Sequence, residues 1–156
     1  MNLILAAIWW ILPAWIANGV PVIVGGGMPI DFGKKWPDGR RVFGDGKTIK
    51  GVAAGIAAGS MIGLLQGRLE LGILISVGAV FGDAVASFIK RRLDFKRGQS
   101  MLVVDQLDFV AGALLFAAVL EFPELPLLLA ILVLTPMIHV AANFGAYRLK
   151  LKKVPW

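Results

Sequence analysis

The stretch Leu71-Gly72-Ile73-Leu74-Ile75-Ser76-Val77-Gly78-Ala79-Val80-Phe81-Gly82-Asp83-Ala84-Val85-Ala86-Ser87-Phe88-Ile89-Lys90-Arg91-Arg92 decides the fold. It is uncharged from Leu71 to Gly82, admits a carboxylate at Asp83, stays apolar to Ile89 and stops on three successive cations. A helix needs ~20 mostly apolar residues to cross the hydrocarbon core of a bilayer, so 71–89 reads as a span ending at a membrane surface. Four further apolar runs flank it, at 3–24, 51–67, 107–121 and 125–147. The expected fold is an all-α integral membrane protein. It is one membrane domain over 1–156 with five transmembrane helices and loops at 25–50 and 90–106.

Composition agrees. Hydrophobic residues make up 58% of the 156 positions and charged ones 17%, with a mean hydropathy of +0.78. Soluble globular chains run at ~45–50% apolar and ~25% charged, so a soluble domain and a disordered chain are both excluded. With no cysteine, the chain forms no disulfide, thiolate nucleophile or cysteine-ligated zinc or iron–sulfur centre. The first run lacks a basic n-region and a small-x-small cleavage site, and its three tryptophans suit a retained span better than a signal peptide. The net charge of +6 would suit nucleic acid in a soluble protein, but here the basic residues are divided by hydrophobic spans, so no nucleic-acid partner is expected.

Charge sets the orientation. Segments 25–50, 90–106 and the tail after Tyr147 hold 15 of the 16 Lys and Arg residues. Five spans with the N-terminus outside put all three on the cytoplasmic side, as the positive-inside rule requires. The localisation that follows is the cell membrane, multi-pass, with chemistry facing the cytoplasm.

Several features carry chemistry or packing. Gly51, Gly55, Gly59, Gly63 and Gly67 recur every fourth residue and clear one side of the second span; close helix packing is the expected use, a ligand groove the alternative. Asp83 shares a stripe with Ser87, Lys90 and Arg91, all within about 80° on the helix surface, and lies ~10 Å deeper than Lys90. A buried Asp–Lys staple is the plain reading of that stripe. Asp105 and Asp108, at i and i+3, face one side of the fourth span. Helix capping explains either alone; beside Asp83, the three look like hard oxygen ligands for Mg²⁺. Lys90, Arg91, Arg92, Lys96 and Arg97, with Arg40, Arg41, Lys47 and Lys50 from the first loop, suit either a membrane-surface patch or a triphosphate; the surface patch is the default for Arg92 and Lys50. The run Phe43-Gly44-Asp45-Gly46-Lys47-Thr48-Ile49-Lys50-Gly51 is no Walker motif, since Arg41 stands where the first glycine belongs. A glycine loop feeding a helix still offers backbone N–H groups and Lys47 to phosphate. His139 precedes Asn143 by one turn; interhelical hydrogen bonding is expected of them before metal ligation, with Asn143 a candidate contact to a ligand head group.

These residues resemble the cytidylyltransferase signature of the CDP-diacylglycerol synthases, S-x-x-K-R-x4-K-D followed after a gap by D-R-x-D. Ser87, Lys90, Arg91, Lys96, Asp105 and Asp108 match by position. Arg97 replaces an Asp, Gln106 replaces an Arg, and a His-Gly-Gly motif is missing. Those departures, the small size and the Gly-Asp-Gly-Lys-Thr-Ile-Lys-Gly segment are similar to the archaeal branch, the CDP-archaeol synthases. The resemblance implies transfer of CMP from CTP to a lipid phosphate, unsaturated archaetidic acid, with release of pyrophosphate in phospholipid biosynthesis. For that chemistry Asp83, Asp105 and Asp108 are expected to hold one or two Mg²⁺ as catalytic ligands, with Lys90 in the catalytic set. Lys47, Thr48, Ser87, Lys90, Arg91, Lys96, Arg97 and Asn143 would bind the nucleotide. CTP, the lipid phosphate and membrane lipids are the implied partners, with the oligomeric state open, a homodimer included. A small transporter or channel is the competing reading; it leaves unexplained why three carboxylates and the basic cluster converge on one membrane face. The CDP-alcohol phosphotransferases are excluded because Phe109 follows Asp108 where their motif has glycine, and their later aspartates are missing.

Overall fold

The structure, a computed structural model, describes residues 2–95, 99, 101 and 104–151. Five helices follow in order: α1 Leu3–Val24, α2 Ile49–Leu65, α3 Leu69–Arg92, α4 Val104–Ala117 and α5 Leu125–Arg148. α1, α3 and α5 are long and apolar enough to cross a membrane. The 17-residue α2 and 14-residue α4 rise roughly 26 Å and 21 Å, short of the ~30 Å hydrocarbon thickness. α4 starts three residues earlier than expected and α3 runs on to Arg92, so Lys90, Arg91 and Arg92 occupy the last turn of α3, where the helix dipole favours cations.

α1, α2, α3 and α4 pack as a connected group, and α5 lies outside against α1 and α4. Two proline breaks in α1 explain how α2 docks. Pro13 and Pro21 have no N–H to offer the carbonyls four residues earlier. The Trp9 carbonyl accepts instead from Gln66 Nε2 at 2.6 Å. The Ala17 carbonyl lies so close over Gly55 that any Cβ there would collide with it. Gly59 sits under the Pro13 carbonyl and Ser76, and Gly63 against Gly72 of α3. The glycine stripe is therefore a packing surface that lets α2 fit between α1 and α3. Its fifth member, Gly67, lies outside the helix in the turn to α3, at φ +71°.

The second close crossing joins α3 to α4. A Cβ on Gly82 would strike the Asp108 carbonyl, and one on Gly112 would strike the Gly78 carbonyl. Small residues at both helices bring the backbones into contact, which sets Asp83 beside the first turns of α4. The core around these crossings is built from Ala7, Ile11, Ala14, Ile75, Ala79, Phe109, Val110 and Ala113, all buried.

Candidate active site at the paired ends of four helices

Helix α1 ends where Gly25, Gly26 and Gly27 turn through positive φ. The chain then makes the long loop expected over 25–50 and returns beside its start. Ile30 N donates to the Lys47 carbonyl at 2.8 Å and Ile49 N to the Met28 carbonyl at 2.9 Å. Thr48, buried at the seam, caps α2 by accepting from Gly51 N at 3.1 Å. The hydroxyl expected at the nucleotide thus starts the helix, and Lys47 is delivered at its mouth.

From there the Lys47 ammonium reaches Asp83 of α3 and pairs with it. This is the Asp–lysine pair considered for α3, made with the loop rather than with Lys90. Neither group is sealed off: about a quarter of each side chain is exposed. Lys90, two turns along α3, pairs with Asp105 at the start of α4. Asp105 also accepts from Met101 N at 2.9 Å through Oδ2, while its Oδ1 is the oxygen that faces the Lys90 ammonium. Asp108 accepts from Phe109 N at 2.6 Å and interacts electrostatically with Asp83, Lys47 and Asp105. Three carboxylates and two ammonium groups from a loop and two helices therefore meet at one end of the bundle. Among the described residues, no three acidic or histidine side chains form a ready cation cage; Asp83 and Asp105 face lysines.

The remaining site residues divide. Ser87 is half-buried on α3, one turn from Asp83. Arg91 lies against Gly44, whose added Cβ would sit 3.8 Å from Arg91 Cδ, and its buried Nε has no hydrogen-bond partner. Arg92, expected at the membrane surface, is instead an anchor for the loop. It pairs with Asp38 at 2.7 Å, donates to the Arg41 carbonyl at 2.6 Å, and stacks 4.6 Å over Phe88 and 6.0 Å over Trp36. Asn143 lies 3.3 Å from His139 on α5, and the His139 ring rests 5.9 Å from Phe109. Lys96 and Arg97 lie outside the described residues.

The geometry therefore gathers three carboxylates and several cations at one end of the bundle. A family model described as CarS-like, CDP-archaeol synthase, matches residues 1–156. The chain belongs to the CDP-archaeol synthase family. The CDP-archaeol synthase of Pyrococcus abyssi is 49% identical over 168 residues, covering 100% of both chains. That of Pyrococcus horikoshii is 48% identical, covering 100% of this chain and 99% of its own. A solved structure, "Structural insight into an intramembrane enzyme for archaeal membrane lipids biosynthesis", is 42% identical, covers 90% of this chain and 94% of its own, and superposes with a TM-score of 0.82. Membership agrees with the resemblance carried by Ser87, Lys90, Arg91, Asp105 and Asp108, and with the apolar helices of a membrane protein.

One charged residue at this end of the bundle escaped the sequence reading. Asp31, 5% exposed, accepts from Gly33 N at 3.1 Å, Arg41 Nη2 at 2.6 Å, Phe43 N at 3.0 Å and Gly44 N at 3.0 Å. Burial pushes its carboxyl up, but the Arg41 guanidinium and these three backbone N–H groups outweigh burial and hold it far below the usual carboxylate range. The Asp-x-Gly spacing of Asp31 and Gly33, an Asx-turn pattern, was the available local signal.

Proposed function

We propose that this CDP-archaeol synthase family member transfers CMP from CTP to a digeranylgeranylglyceryl phosphate at the membrane surface, giving CDP-archaeol and pyrophosphate. The observation that carries the reading is the meeting of Asp83, Asp105 and Asp108 with Lys47 and Lys90 across the Gly82–Asp108 helix contact.

The lipid phosphate attacks the α-phosphorus of CTP. A new P–O bond to the lipid phosphate forms as the bond to the bridging oxygen breaks, and the electron pair leaves on pyrophosphate. A phosphate monoester has a second pKa of ~6, so the nucleophile is largely ionised at neutral pH and needs no histidine base. The remaining work is to align two polyanions and neutralise charge as it moves to the leaving group. Lys47, Lys90 and Arg91 stand at one end of the bundle for that purpose, with Ser87 one turn from Asp83; Lys96 and Arg97 complete the proposed triphosphate grip. The hard carboxylate oxygens of Asp83, Asp105 and Asp108 would suit one or two Mg²⁺ ions, with Asp83 and Asp105 exchanging their lysine partners for the ion. Bound there, Mg²⁺ supplies charge neutralisation at the phosphoryl oxygens.

We further propose that all five helices cross the bilayer with the N-terminus outside and this charged cluster at the cytoplasmic face. The loop 25–48, the end of α3 and the start of α4 lie at one end of the bundle, and 15 of the 16 basic residues fall in segments leading to that end. The test uses purified protein, labelled CTP, Mg²⁺ and a diether or a diacyl lipid phosphate. The expected result is one pyrophosphate per CDP-lipid, with the diether preferred. CTP hydrolysis that ignores the lipid overturns the proposal.

A further inference from the structure

We infer that Asp31 is a positioning residue for nucleotide binding, acting through the 41–47 turn on Lys47. This rests on the reading of Lys47 as a phosphate ligand. Asp31 itself is unavailable to a ligand. Its two oxygens accept from Gly33 N, Phe43 N, Gly44 N and, bidentately, from Arg41, with the Nε bond at 3.3 Å. A carboxylate offers ~4 lone-pair sites, so this one is saturated.

All the long-range bonds converge on one turn. Arg41, Phe43 and Gly44 stand just before Lys47, and Lys47 N lies 3.4 Å from the Gly44 carbonyl. Arg41 extends the clamp forward by pairing with Asp45 at 2.6 Å. On the other side, Ile30, the neighbour of Asp31, holds the Lys47 carbonyl. Lys47 is thus gripped before and after by the segment carrying Asp31, and its ammonium is presented to Asp83.

Elsewhere the loop is held from α3, where Arg92 donates to the Arg41 carbonyl and pairs with Asp38; Asp31 is the side chain that meets the Phe43 and Gly44 N–H groups nearer Lys47. Ordering a residue's backbone costs conformational entropy, and a buried, multiply hydrogen-bonded carboxylate offsets it here. An unpaired buried charge would be strongly unfavourable, so the carboxylate and the turn stand or fall together.

The test is a double-mutant comparison on the full chain in detergent micelles or nanodiscs, with KM for CTP, KM for lipid phosphate and kcat measured separately. Misplacing a binding group by ~1 Å costs up to ~100-fold, so Asp31→Asn is expected to raise the CTP KM ~10-fold or more and leave the lipid KM within ~2-fold. Lys47→Ala raises the CTP KM by at least as much, and Asp31→Asn combined with Lys47→Ala is no worse than Lys47→Ala alone. An unchanged CTP KM in Asp31→Asn overturns the inference, as does a double variant whose losses multiply. A normal CTP KM in Lys47→Ala refutes the phosphate role of Lys47 itself and is read separately. If Asp31→Asn yields no folded protein, Arg41→Gln, which keeps the backbone bonds to Asp31, enters the same comparison with the same two outcomes.

Discussion

Gly82→Ala separates packing from chemistry. The added Cβ would lie 3.0 Å from the Asp108 carbonyl carbon and 3.1 Å from Gly112 N, with the Asp108 carbonyl oxygen nearer still. These are backbone atoms of α4, held in a rigid helix, and cannot swing aside. Carbon–carbon contacts settle at ~3.5–4.0 Å, so α3 and α4 must part by ~0.5–1 Å. Overpacking of this kind costs ~1–3 kcal/mol, offset by up to ~1 kcal/mol from the better helix propensity of alanine. The net expectation is a loss of ~1–2 kcal/mol, visible as a lower Tm in detergent. The larger effect falls on activity, because the same displacement separates Asp83 from Asp108. A ~1 Å misplacement costs up to ~100-fold in rate, so CMP transfer should fall ~10- to 100-fold in protein that is still folded. Gly145→Ala is the control: nothing lies within 4 Å of its Cβ position, so stability should hold or rise by up to ~1 kcal/mol and activity should not change. Wild-type turnover in Gly82→Ala would refute the claim that this crossing sets the catalytic carboxylates.

Three further outcomes follow from other contacts. At the far end of the bundle, Glu121 accepts from Trp10 Nε1 at 3.0 Å and pairs with Arg68; Glu121→Gln should lower stability by about 1 kcal/mol in thermal melts and leave CMP transfer unchanged. The folded Asp31 carboxyl is held below its unfolded value, so its contribution is fully present above the ordinary carboxylate pKa of ~3.9 and is lost as pH falls toward the folded value. The protection factors of the Phe43 and Gly44 amides, taken relative to intrinsic exchange at each pH, should accordingly be high at pH 6 and fall on acidification below about pH 4, a dependence that Asp31→Asn abolishes. Arg92→Lys keeps the charge but loses the stacking on Phe88 and Trp36; the expected result is faster proteolysis of the loop at Lys34 and Lys35, with the helices still folded.

Much of this was legible in the amino acids because it rests on local pattern. Apolar runs bounded by cations gave the helices within a few residues, and Gly55, Gly59 and Gly63 announced a close helix contact. Their partners were not legible. That Ala17 and Trp9 carbonyls are freed by prolines and met by Gly55 and Gln66 depends on how α1 and α2 lie together. Ser87, Lys90 and Arg91 fall on one face of α3 by helical periodicity alone, and Asp105 and Asp108 likewise on α4. The pairing of Asp83 with Lys47 crosses 36 residues and needs the folded loop. Arg92 shows the limit best: the sequence offers it as one more cation for a membrane-surface patch, and only Trp36, Phe88 and Asp38 around it reveal an anchor.

The most direct measurement is CMP transfer by Asp83→Asn, with CTP, Mg²⁺ and the diether lipid phosphate saturating. The side chain keeps its size, so the helices and the loop stay in place, and a folded, extractable protein with turnover reduced to background is expected. Turnover near the wild-type level in that variant contradicts the assignment of Asp83, with Asp105 and Asp108, as the working centre of the enzyme.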